Sequence, residues 1–205
     1  MPIDRTAQYL KGIRAVVRGC WTGALNLGQA IAQMGDVTKR YFRIAFYDGA
    51  KECGILEDEV TIDEKLTFAN RLTTELVYIP GFMHDVYDGR KAGAGDQRPE
   101  NERPLAVFFQ RAEMWANRYT QVLDLGKTLA CKDRKLMWVL NPAKENCITC
   151  QKLNGKVKRA SQWQAARADG IYPGSPHLAC GGYRCGCVLQ PTDEPLSKGR
   201  LPSVP

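Results

Sequence analysis

Five of the eight cysteines in this 205-residue chain fall into two groups about thirty residues apart. No other feature limits so strongly what the chain can fold into. The first group is Cys147 and Cys150, in "CITC"; the second is Cys180, Cys185 and Cys187, in "PHLACGGYRCGC". A C-x2-C turn brings two thiolates to adjacent corners of a tetrahedron, and a pair from a later turn completes it. Zinc takes four such donors with Zn–S near about 2.3 Å, so the pattern predicts one structural zinc ion per chain. All five cysteines are candidate ligands for four corners. The favoured set is Cys147, Cys150, Cys180 and Cys185, with Cys187 competing for the last place. His177 offers an alternative to Cys180, since H-x2-C is also a usable spacing. Gly181, Gly182 and Gly186 suit the tight turns that point thiols inward. Lys144, Lys152 and Arg184 supply cations beside a centre that four thiolates around a divalent ion leave negative.

Three rival chemistries use the same residues. Disulfides are disfavoured because "MPIDRTAQYLKGIRAVVRGCW" places Arg5, Arg14 and Arg18 where a secretion signal needs an apolar run, which predicts a reducing compartment. A thioredoxin-like C-x2-C belongs where a strand meets a helix in a βαβ unit, whereas this one follows a short strand-like run and precedes Gly-Lys. A catalytic zinc keeps a corner open beside a general base. Asp169 and Glu145 are nearest in sequence, and nothing marks either for that role. The reading is a structural site with no catalytic residues.

Ahead of the cysteines the chain reads as helical. Leu10, Ile13, Val17, Cys20, Ala24, Leu27, Ile31 and Met34 alternate by three and four, one face of a helix, although Gly12, Gly19, Gly23 and Gly28 weaken a single stiff rod. In "TIDEKLTFANRLTTELVYIP", Thr61 and Glu64 make a capping-box pattern, Leu66, Ala69, Leu72 and Leu76 share a face, and Pro80 marks the expected end. Residues 88–103 form a polar, glycine-rich loop. Pro104 opens a third helix with Phe108 or Phe109, Ala112, Ala116, Tyr119 and Leu123 on its apolar side. "KLMWVL" around Trp138 is strand-like, and "GKVKRASQW" is a second strand or turn segment. The fold class expected is α+β. A mainly helical body spans 1–130, a small β-hairpin and zinc-knuckle lobe spans 131–190, and a proline-rich extended arm covers 191–205. Trp138 and Trp163 are expected to pack between lobe and body.

No run approaches the twenty apolar residues of a membrane span. The net charge of +7 is unevenly placed: residues 131–205 hold 12 Lys and Arg against 5 Asp and Glu, while the first 130 hold 17 of each sign. A basic C-terminal third suits an acidic partner, either nucleic acid or an acidic protein surface.

The stretch from Gln110 to Gln190 resembles the phage minor head, or head-morphogenesis, protein family. The likeness lies in an ordered series. "RAEMWANRYTQVLDLGK" is similar to that family's R-x-E helix, and "KLMWVLNPAKENCITCQKLNGKV" to its tryptophan strand, C-x2-C knuckle and L-x-G-K-V. "YPGSPHLACGGYRCGCVLQP" is similar to its proline loop and closing cysteine group. The family's ending sets a histidine three residues before a C-R-C pair. Here Cys180 stands five before Cys185, and Gly186 separates the last two cysteines. The resemblance implies a non-enzymatic minor virion component, made in the host cytoplasm. It would associate with portal or capsid proteins, act in head morphogenesis and genome delivery, and touch packaged DNA through the basic third. The alternative is a zinc-ribbon nucleic-acid-binding protein.

Overall fold

A computed structural model describes residues 4–94, 101–142, 145–183 and 185–203. Along the chain run helices α1 (Arg5–Trp21), α2 (Leu27–Lys51), α3 (Ile62–Asp88) and α4 (Leu105–Ala130). Strand β1 (Lys135–Val139), helix α5 (Ile148–Leu153), strand β2 (Val157–Arg159), helix α6 (Ala160–Ala166) and strand β3 (Val188–Pro191) follow. The class is α+β, mainly helical with a small antiparallel sheet near the C-terminus. The chain divides into two compact units. One comprises Met1–Phe42 and Ala69–Ala116, the other Arg43–Phe68 and Asn117–Pro205. The C-terminal lobe thus shares its unit with residues 43–68 and 117–130. Among the described residues no helix is long and apolar enough to cross a membrane.

In the first unit the N-terminal apolar stripe is broken into two helices. Thr22 Oγ1 bonds back to Arg18 O at 3.0 Å, and Gly23 takes a left-handed φ of 77°. Asn26 and Gln29 then start α2 with reciprocal bonds of 2.9 and 3.0 Å, a capping box built from amides. Of the stripe, Ile13, Val17, Cys20 and Met34 are buried, while Ala24 in the break is exposed. The Thr61–Glu64 box forms as expected, with bonds of 2.8 and 3.3 Å. Pro80, however, does not end α3. It lies on the exposed side, and the turns around it bury Ile79, Phe82, Met83 and Val86. Burial of four such side chains, at roughly 1.5–3 kcal/mol each, outweighs the ~3 kcal/mol that an interior proline costs. The buried face of α3 is therefore this later one, and Leu66 and Ala69 are exposed. Of the expected loop 88–103, residues 95–100 lie outside the described residues. α4 begins one residue after Pro104, with Phe108, Ala112, Ala116 and Tyr119 buried as the pattern required.

In the second unit α2 and α4 touch backbone to backbone. A Cβ on Gly49 would strike Leu123 O, and one on Gly126 would strike Phe46 O. Only glycine at both positions permits this approach. The sheet has the order β2-β1-β3, all antiparallel, with Met137 opposite Val157 on one side and Gln190 on the other. The expected hairpin thus gains a third strand, which begins at the residue after Cys187. Period-two alternation puts Leu136 and Trp138 inward. There they meet Leu153, Trp163, Leu178, Leu189 and the buried cysteines in one core. Trp138 and Trp163 lie in this core, which also takes in Cys53 and Ile55. Their rings pack on one another at 5.8 Å within this core, and Trp163 Nε1 donates to Leu136 O at 2.9 Å.

Both outer strands are tied on their far sides. The Ser197 amide donates to Val157 O at 2.9 Å, and Val157 N donates to Ser197 Oγ at 3.0 Å, so the C-terminal arm lies along β2. On β3, Leu189 N donates to Asp124 Oδ1 at 3.3 Å and Leu189 O accepts from Lys127 Nζ, both side chains coming from α4. Lys127 also pairs with Glu52 at 2.7 Å and stands 3.6 Å from Asp124.

Burial pushes the Asp124 carboxyl up to about 6, with Glu52 acting in the same direction. Lys127, Arg167 and the Leu189 amide pull it down but do not prevail. A carboxyl raised in the folded state favours folding while it is protonated. Its contribution is full below the unfolded value near about 4 and is lost as pH rises through about 6. We expect Asp124→Asn to remove this term. The stability difference between wild type and variant, measured by urea unfolding, should move against wild type by about 2–3 kcal/mol between pH 4 and pH 7. A difference that stays flat with pH would show that Asp124 is ionised throughout.

Candidate metal centre

The lobe brings its five clustered cysteines together from two loops. Cys147 is the N-cap of α5, in extended backbone, and Cys150 lies within the first turn of that helix. The C-x2-C spacing therefore places both thiols on one side of a helix start. The loop between α6 and β3 carries the other three. It folds back through Leu178, buried in the core, and Ala179 N donates to Thr149 Oγ1 at 3.3 Å, tying it to α5. Gly182 takes a left-handed φ of 72°, and a Cβ there would strike Gly174 O, so the turn between Cys180 and Cys185 requires glycine. Asn117 Nδ2 holds the Gly182 carbonyl from α4 at 3.4 Å.

The sulphurs gather into two triads. Those of Cys147, Cys150 and Cys180 lie within 4.8 Å of one another, and so do those of Cys150, Cys185 and Cys187. Cys150 and Cys185 are 4.0 Å apart. All five are free thiols, Cys150 and Cys187 buried and the others half-buried. Thiol donors at these separations can hold a metal ion. Every cysteine expected at the site is in the cluster. His177 belongs to neither triad and stands exposed on its loop, its ring over Gly170. Asp169 and Glu145 are exposed and outside the triads, as is Lys152. Lys144 and Arg184, expected as neighbouring cations, lie outside the described residues.

The thiols share protons among themselves. Hydrogen bonds from Cys150 and then Cys187 hold the Cys185 thiol down to about 2, against its own burial. Giving that bond to Cys185 is the largest reason why the Cys150 thiol is raised far above its ordinary range, with burial adding to it. Cys150 acts to lower Cys187, but the bond to Cys185 and burial outweigh it and push Cys187 up to about 12. Burial raises Cys180 to about 11. At Cys147 burial also acts upward, yet the backbone and thiol of Cys150, with those of Cys180, lower it. Thiols gathered this closely are a set of donors that a thiophilic cation can take up, displacing their protons.

Sequence reasoning overlooked three features around this centre. The Cys187 thiol donates to Asn146 Oδ1 at 3.7 Å, and Trp138 Nε1 is buried beside it. The Asp124 and Lys127 pair stands at i, i+3 on the buried face of α4, where charged residues in an apolar stripe were the available signal. Cys53 and Cys131 form a disulfide, with Cα atoms 5.3 Å apart and a sequence separation of 78. The fold buries both in one core at bonding distance. Two surface grooves of the lobe take none of the clustered cysteines. One of about 590 Å³ includes Lys158, Asp169 and Arg200. The other, of about 500 Å³, includes Arg134, Lys135 and Arg159. Compared with family models, curated proteins and solved structures, the chain matches none of them.

Proposed function

We propose that this protein is a non-enzymatic minor head component of a tailed phage, associated with the portal or capsid, whose C-terminal lobe is fixed by a structural zinc site. The observation that carries the reading is the ordered series from Gln110 to Gln190, in which helix, tryptophan strand, C-x2-C knuckle and closing cysteines recur in that family's order. Two features of the geometry support a structural role for the metal. Cys150 and Cys187 belong to the lobe's apolar core, and Cys147, Cys180 and Cys185 pack against it. Zinc suits the site because a d¹⁰ ion takes all-sulphur coordination without redox chemistry. The helices would dock on other virion subunits, and the basic third would face acidic protein or packaged DNA.

In particles assembled with a tagged full-length chain, the protein is expected to co-sediment with portal and capsid. Particles that contain none of it, and heads that assemble normally without it, would overturn the assignment. The groove that carries Arg134, Lys135 and Arg159 beside Asp133 and Asp193 gives a second reading, direct binding of nucleic-acid phosphates. That reading predicts DNA binding by the full chain that weakens steeply with added salt and is indifferent to sequence.

A further inference from the structure

The geometry points to two metal ions in the cysteine centre rather than one, with the sulphur of Cys150 shared between them. This rests on the reading of the centre as a metal site. Around a tetrahedral ion with Zn–S of about 2.3 Å the sulphurs lie about 3.8 Å apart. Each triad, closed within 4.8 Å, has the spread of three ligands on one ion. Cys150 belongs to both, with Cys147 and Cys180 on one flank and Cys185 and Cys187 on the other. A single ion on any four of these sulphurs would leave a fifth cysteine in the cluster without a role.

Cys187 is built as a ligand. It is 1% exposed, as far inside as Cys150 itself. Its sulphur lies 3.7 Å from Asn146 Oδ1, and the buried Trp138 belongs to the same core. Charge favours the paired arrangement too. Five thiolates with one divalent ion leave a charge of about −3 in the core, and with two ions about −1, and an uncompensated buried charge is costly. Each ion then has three thiolate ligands from this chain, one of them shared.

The test is native mass spectrometry of the full chain, purified in zinc and separately exchanged into cadmium, with ¹¹³Cd NMR on the second sample. Two ions per chain and two cadmium resonances are expected. Cys187→Ser and, on the other flank, Cys180→Ser should each keep one ion, Cys150→Ser should weaken both, and Cys20→Ser, which is in neither triad, should keep two. The cadmium chemical shifts report sulphur coordination whether or not a variant folds fully. One ion in the wild-type chain overturns the shared-sulphur arrangement and leaves the single zinc site standing. No ion overturns both.

Discussion

Stripping metal from the full chain with a strong chelator, or replacing Cys150 by serine, is expected to abolish the tertiary packing of the C-terminal lobe. Structural zinc contributes roughly 10–16 kcal/mol of apparent binding energy in small thiolate modules. That is comparable to or larger than the 5–15 kcal/mol by which whole domains are stable. The lobe has little else to hold its loops: three short strands and two short helices, with a long irregular segment between α6 and β3. Cys150 sits at the junction of both sulphur triads and is buried against Trp138, Trp163 and Leu189 in one core. Loss of a bound ion would therefore leave thiols unheld in the interior. The readout is near-ultraviolet circular dichroism and tryptophan emission, since Trp138 and Trp163 pack on one another there. Their signal should collapse on chelation and return on adding zinc, while most far-ultraviolet helical signal persists. If the tryptophan signal were unchanged after metal analysis showed the ion gone, the site would be incidental to the fold.

Opening the Cys53–Cys131 bond should cost the next most. The bond closes 78 residues of sequence, and the chain-entropy relation for a loop of that size gives about 4.5 kcal/mol, within the 2–5 typical of native disulfides. Both cysteines are nearly inaccessible, so external thiols would reduce them slowly, and the cleaner experiment is the double variant Cys53→Ala, Cys131→Ala. Its urea midpoint should fall with little change in slope, and its melting temperature by about 10 °C or more. Alkylation of the unfolded wild-type chain without reductant should leave this pair unmodified. If the pair alkylates fully and the double variant keeps wild-type stability, the bond does not exist in solution. Because these two residues share a core with Cys150 and Cys187, the effects of breaking the bond and removing the metal should be non-additive.

What could be read from the sequence follows from the range of the interactions involved. The C-x2-C knuckle, the Thr61–Glu64 box and the buried face of α4 are set within one or two helical turns, so spacing alone reveals them. The strand around Trp138 is legible because alternate residues face the core. The break before α2 was also local, written in the Asn26 and Gln29 amides, but amide capping boxes are less conspicuous than the Thr-Glu kind. Pro80 is no stop signal here because it lies on the exposed side of α3, whose next turns are buried. Strand β3 is only four residues long and owes its form to β1, which no pattern within "VLQP" announces. The pairing of Cys53 with Cys131 is purely tertiary. No spacing rule connects residues 78 apart, and what brings them together includes the glycine contact between α2 and α4.

The ties on the outer strands bear on how copies of this protein can meet. A three-stranded sheet ordinarily offers two rows of backbone donors and acceptors to any passing strand, and such rows are templates for runaway association. Here Ser197 occupies the hydrogen-bonding positions of Val157 on one rim, and Asp124 with Lys127 occupies those of Leu189 on the other. At high local concentration the sheet is closed to strand exchange at these points. Contacts between neighbours must then be made by side chains, which can be specific and reversible, rather than by main chain, which is neither.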